Sequence, residues 1–213
     1  MEDKPIPLTG WRGSRDGWLS AGYRALIKNG VDAVKIMPLA KTLGLSRTSF
    51  YWFFQDRDAL LTALLDLWTE RTTRPLIDAT RHDAATQAEA MLNVIGCFIS
   101  DAFDSRLEFA VRSWALQDPE IAERVKDADS LRLSALSDLL LAWGHDTMAA
   151  DVRARTVYLV QIGYISMQSC ESLQTRLARI PSYVEIYTGT SPHPHEITRF
   201  STRFQCRSSM ADE

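Results

Sequence analysis

The chain is poor in cysteine, with only Cys97, Cys170 and Cys206 among 213 residues. Their odd number and wide spacing give no disulfide framework, and reduced thiols used as small apolar residues are expected. No run of 18 or more uncharged apolar residues occurs, so no membrane-spanning helix is expected. The opening MEDKPIPLTGW lacks the basic-then-apolar layout of a secretion signal, and the expectation is a cytoplasmic protein. Catalytic signatures are missing too: no Gly-rich phosphate loop, no Gly-x-Ser-x-Gly, no His-Glu-x-x-His and no Cys-x-x-Cys. The four histidines, His82, His145, His193 and His195, fall near expected helix ends or in loops, none beside an obvious nucleophile. No catalytic residue, enzyme activity or cofactor is therefore assigned. His193 and His195 are separated by a proline and have no Cys or acid at ligand spacing beyond Glu196, so no metal site is assigned either. Strand-like alternation is absent over most of the chain, and the fold class expected is all-α.

Net charge is small but unevenly placed. The net charge is −3. Residues 1–74 hold eleven Lys/Arg against eight Asp/Glu, a net +3, whereas 75–213 hold thirteen against nineteen, a net −6. A basic N-terminal part on an acidic remainder fits a nucleic-acid partner for the former, because charges farther apart than about 8 Å are screened at physiological salt.

The basic part contains the most informative stretch, Leu39–Phe54. Leu39, Ala40 and Leu43 share one face of a short helix. Gly44 is a stop, since glycine alone enters the left-handed conformation without steric cost. Ser46 supplies an N-cap oxygen for the next helix. Phe50 and Phe54, at i and i+4, face a core, while Arg47, Thr48, Tyr51 and Trp52 face outward. The spacing predicts a helix-turn-helix with donors and flat rings on its open face. Ser46, Thr48, Ser49 and Tyr51 are candidates for phosphate contacts and Arg47 for reading guanine. Trp52 suits a sugar or a thymine methyl, or else partial burial beside Tyr23 or Trp18. Lys35 and Lys41 are phosphate clamps.

This run resembles the DNA-binding signature of the tetracycline-repressor (TetR) family of bacterial transcription regulators. The resemblance rests on Leu39-Ala40, Gly44-Leu45-Ser46, Thr48-Ser49-Phe50-Tyr51, Phe54, Arg57 and Leu60-Leu61, with agreement in order and spacing from about Ser14 to about Trp68. It departs at Lys35, where a capping Thr is usual, at Pro38, and at Phe53, where His or Tyr is frequent. Phe53 cannot donate to a phosphate, which removes one contact. The resemblance implies that Arg57 meets a DNA phosphate; on the residues alone, a surface ion pair is the alternative.

Around the motif the chain divides into an arm over 1–13, a DNA-binding domain over 14–56, a connecting helix region over 57–82 and a helical domain over 83–213. Arg12 and Arg15 are placed to reach the DNA backbone or minor groove, or to belong to a solvated tail. Ser14 caps a helix to Asn29 that Gly30 ends. Asp56 caps a long helix that acts as a lever until Pro75 ends or bends it. Asp118 and Pro119 open a helix to Trp143, with Gly144 as its stop. Met148–Leu173 starts polar, but Val157–Ile165 within it is apolar nearly all round, which predicts burial on two sides and hence a homodimer; a central helix in a monomer is the alternative. Pro181, Gly189, Pro192 and Pro194 break the C-terminus, leaving one last helix over Glu196–Phe204.

From the resemblance, the C-terminal half encloses a pocket for an effector that releases the chain from a near-palindromic operator, as a repressor does. Phe98, Phe109, Trp114, Trp143, Tyr158, Tyr164 and Met167 are the candidate lining. No Lys or Arg in this half looks buried, which points to a neutral or weakly polar effector. The rival reading is a helical ligand-binding or protein-interaction module whose helix-turn-helix is architectural.

Overall fold

A computed structural model describes residues 13–169 and 171–208, with side chains through Phe204. The arm up to Arg12, Cys170 and the side chain of Cys206 lie outside the described residues. Two compact units divide the chain, the first ending at Leu67 and the second beginning at Trp68. Among the described residues both are helical and no strand occurs.

The first unit starts where Ser14, in extended conformation, accepts the Gly17 N–H at 3.0 Å and opens α1 (Arg15–Asn29). Gly30 closes it at φ 78°. After a 3-10 turn over Val31–Ala33 come α2 (Ile36–Leu43) and the single turn of α3 (Arg47–Phe50). Gly44 between them is left-handed at φ 66°, which lets the Leu45 N–H reach back to the Ala40 carbonyl at 2.9 Å. α4 (Arg57–Trp68) begins where Asp56 accepts the Ala59 N–H at 2.8 Å. Neither α2 nor α3 has the roughly 12–15 residues that marginal independent stability needs, so packing holds them. Trp18, Val34, Phe50, Leu60 and Leu64 are at 0% exposure. Phe50 meets Trp18 edge-on at 5.2 Å and stacks on Phe54 at 5.5 Å, which joins α1 to the helix-turn-helix.

In the second unit the chain passes through a π-helical turn, Thr69–Thr73, into α5 (Arg74–Thr80). Pro75 neither ends nor sharply interrupts this segment. It cannot donate to the Arg71 carbonyl four residues back, but the Asp104 backbone N–H does so at 3.0 Å. Then follow α6 (Gln87–Ile99), α7 (Ser105–Ala115), α8 (Pro119–Ala142), α9 (Thr147–Ser166), α10 (Leu173–Thr188) and α11 (Pro194–Ser208). Asp118 caps α8 with Pro119 at its first position, and Gly144 follows at φ 91°. Two expectations are corrected. α9 stops at Ser166 rather than continuing to Leu173, and the region read as broken by Pro181 is the 16-residue α10. Ile180, Val184 and Tyr187 are buried against the core of this unit, and that burial outweighs the one ladder bond that Pro181 removes. No helix among the described residues is long and apolar enough to cross a membrane.

Candidate nucleic-acid interface and a buried ion network

The helix-turn-helix presents an outward surface built from the residues between its two turns. Lys35 is the N-cap of α2, extended and exposed, with no side-chain oxygen to offer the helix. Lys41, Ser46, Arg47, Thr48 and Tyr51 are exposed, and Trp52 is 63% exposed. Arg47 lies over the Tyr51 ring, with 5.8 Å to its centroid, and its Nη2 donates to the Tyr51 hydroxyl at 3.0 Å. One i,i+4 pair thus pre-orders the guanidinium while leaving most of its five donors for another partner.

Two residues in the sequence-derived set are placed differently. Ser49 is only 6% exposed, and its hydroxyl donates to the Ser46 carbonyl at 2.8 Å, so it serves the turn rather than a phosphate. Arg57 is half-buried and donates through Nε to the Val34 carbonyl at 2.7 Å and through Nη2 to the Val31 carbonyl at 3.0 Å. These bonds tie the start of α4 to the segment before α2 and give the cation in that first turn its partner.

The seven aromatic and apolar residues expected around an effector are spread between core and surface among the described residues. Phe98 packs on Phe103 at 4.8 Å in the core. Trp114 is buried, and its indole N–H donates to Asp118 at 3.3 Å. Phe109 is half-buried on α7, and Tyr164 shares a hydroxyl contact of 3.1 Å with Tyr183. Trp143 is exposed at the end of α8, and Met167, 83% exposed, follows α9. None of the seven lines either of two cavities in this unit, of about 400 and 370 Å3. His193 and His195 stack at 5.5 Å, and no cluster of three metal-ligating side chains occurs among the described residues.

Tyr158 belongs instead to a polar network that sequence patterning missed. Arg132 of α8 is at 0% exposure, which overturns the argument for a neutral effector from the lack of a buried cation. Its Nη1 and Nη2 grip Glu108 at 2.8 and 3.1 Å, Nη1 also reaches the Tyr158 hydroxyl at 2.8 Å, and Nη2 reaches the Thr72 hydroxyl at 2.8 Å. Nε donates to the Thr73 hydroxyl at 3.0 Å, so all five donors are used. Glu108 also accepts from the Trp68 indole at 2.6 Å and from Arg112 Nε at 2.7 Å. Arg112 forks onto Asp129, which accepts the Tyr158 hydroxyl at 2.6 Å. Two cations and two carboxylates therefore balance, and two threonines of the π turn are tied to α8.

Burial alone would raise the Glu108 carboxyl, but the Arg132 guanidinium, with Arg112 and the Trp68 N–H, holds it below its ordinary value of 4.5. A carboxylate depressed in the folded state contributes stability above its unfolded pKa and loses it as pH falls through the folded one. Urea unfolding should therefore show stability falling as pH drops below about 4.5, with Glu108→Gln lower at pH 7 and flatter across the acid range. Parallel acid profiles for the two proteins would refute this assignment.

Residues 19–64 match the family model of bacterial regulatory proteins, tetR family. No curated protein matches the chain by sequence. Among solved structures, the chain is similar to the fatty acid degradation regulator FadR from Bacillus halodurans, with a TM-score of 0.62 at 15% identity, covering 90% of this chain and 100% of that one. GusR of Salmonella enterica gives 0.57 at 15% identity over 94% and 95%. NalD, the secondary repressor of the MexAB-OprM multidrug efflux pump in Pseudomonas aeruginosa, gives 0.55 at 13% over 81% and 92%. At these identities the likeness is one of fold. Residues 19–64 thus carry the helix-turn-helix domain of the tetR family of bacterial regulatory proteins, set in a chain that shares its fold with these solved structures over most of its length.

Proposed function

We propose that this regulator is a cytoplasmic repressor that binds a near-palindromic operator as a homodimer and leaves it when a small molecule binds residues 83–213. The observation that carries the reading is the outward face of Lys35, Lys41, Ser46, Arg47, Thr48, Tyr51 and Trp52 on the helix-turn-helix. An architectural motif would have no use for an exposed basic and aromatic surface there. Lys35, Lys41, Ser46, Thr48 and Tyr51 fix the short α3 in register on phosphates, and Arg47, pre-ordered on Tyr51, reads guanine. Trp52 lies on a sugar or a thymine methyl. Ser49 and Arg57 act one step back, by holding the turn and the start of α4.

The dimer is supported by apolar side chains left uncovered in the single chain: Met148, Val152 and Leu159 on α9, and Ile186 on α10 beside it. A second copy would cover this face and place two reading helices one turn of DNA apart, about 34–36 Å, or a multiple of it. Release by an effector needs only a preference of about 1.4–2.8 kcal/mol for the non-operator state, a tenfold to hundredfold change in affinity. NalD is by name a repressor, and that role is extended here to this chain.

The test is a gel shift with DNA flanking the chain's own gene. Arg47→Ala should weaken binding and relax base preference by about 1–3 kcal/mol, roughly 5- to 150-fold. Affinity of the parent protein should fall steeply with salt. Unchanged operator affinity in both Arg47→Ala and Tyr51→Phe would leave the architectural module as the better reading.

A further inference from the structure

Between α5, α6 and α11 lies a cavity of about 400 Å3, toward the small end of the roughly 300–1,000 Å3 that ligand sites occupy. Its walls are apolar: Ala79 on α5, Gly96 and Cys97 on α6, Phe200 and Phe204 on α11. Gly96 permits the close approach of α11, since a Cβ there would stand 3.2 Å from the Phe200 ring. Cys97 enters the wall as a neutral thiol, because burial, and then the charge of Asp78, push it up to about 12.

Its polar lining residues are His82, Asn93, Ser100 and Arg203, of which Asn93 and the exposed Arg203 form one edge. Arg203 Nη1 donates to Asn93 Oδ1 at 3.3 Å, and Arg203 has no ion pair among the described residues. No carboxylate among the described residues lines the cavity. The two in the neighbouring cleft that Arg203 also borders, Glu89 and Glu196, are engaged. Arg199 holds Glu89 at 2.9 Å, while Glu196 accepts from the Thr86 hydroxyl and from the His193 backbone N–H at 2.6 Å. Among the described residues, Arg203 is thus a guanidinium with no carboxylate partner beside an apolar hollow.

We propose that this cavity binds a small amphipathic carboxylic acid, with its hydrocarbon body against Cys97, Phe200 and Phe204 and its carboxylate on Arg203 and Asn93. The planar guanidinium fits a carboxylate through two parallel bonds, and the Asn93 amide, whose oxygen already accepts from Arg203, has its NH2 left to donate. A neutral molecule of the same shape would leave the cation as it is and gain only the apolar contacts. Cavity size selects short to medium chains over bulky polycyclic acids.

The test is calorimetric titration of the full chain with straight-chain acids from butanoate to dodecanoate, with 1-octanol and octanamide as neutral controls. At least one acid should bind tenfold or more tightly than the neutral controls. Arg203→Gln should abolish that preference and Arg203→Lys should retain part of it. Ala102→Phe, which fills the mouth from an exposed turn position, should weaken every acid. The proposal is overturned if no acid binds below millimolar concentration, if the neutral compounds bind as tightly, or if Arg203→Gln changes nothing. That this ligand is the effector rests on the regulator reading above; the site itself does not. A chain that binds an acid but no DNA sinks the regulator and leaves the site, and one that binds DNA while ignoring every acid does the reverse.

Discussion

Replacing Arg132 with alanine should cost this protein about 3–5 kcal/mol of stability, out of the roughly 5–15 kcal/mol that holds a folded domain together. The loss comes less from the bonds removed than from what they leave behind. Glu108, itself fully buried, would face only Arg112 and the Trp68 indole, and the hydroxyls of Thr72 and Thr73 would lose their guanidinium. Replacing both charges, as in Arg132→Met with Glu108→Leu, should cost less than the single alanine, because no charge is then stranded in an apolar interior. Urea unfolding of the two variants checks this. A loss under about 1 kcal/mol for Arg132→Ala would refute the claim that Glu108 depends on this partner.

The second large effect is expected at Phe50. Its ring is fully buried, edge-on to Trp18 and stacked on Phe54, and α3 is too short to persist without it. Phe50→Ala should destabilise the first unit by about 3–5 kcal/mol. Operator binding should vanish with it, although Phe50 itself faces away from any duplex. Phe50→Leu keeps much of the buried volume and should recover most of the stability. Thermal unfolding followed through the tryptophans, alongside the gel shift, separates this from a lost contact. A Phe50→Ala protein that melts like the parent but fails to bind DNA would mean that Phe50 touches the duplex after all.

These two sites mark how far the sequence could be read. The helix-turn-helix was legible because its signals are local: Ser14 and Ser46 as caps, Gly30 and Gly44 as stops, Phe50 and Phe54 at a core spacing. Even there, Ser49 looked like one more outward hydroxyl, since nothing in the spacing reveals that it donates to the Ser46 carbonyl. α10 was lost because Pro181 weighs as a breaker locally, whereas the burial of Ile180, Val184 and Tyr187 is decided by distant helices. The ion network was lost for a related reason. Periodicity counts Glu108 and Arg132 as outward, and only the meeting of α7, α8, α9 and the π turn brings them together inside. The aromatic residues chosen for a ligand scattered into core and surface, while the hollow between α5, α6 and α11 uses a glycine, a thiol and a rim arginine that no hydrophobic pattern singles out.

The widened turn at Thr69–Thr73, closed by the Arg74 N–H on the Thr69 carbonyl, holds one residue more than an α-helical turn would. Removing one residue there would let the ladder close in ordinary register and keep Trp68 before it and Leu76 after it on the inside. The same deletion in mid-α8 would rotate every later side chain by about 100° and turn a buried face toward water. Among close relatives, length changes within this long helical stretch should therefore gather at that turn, where the fold can absorb a missing residue.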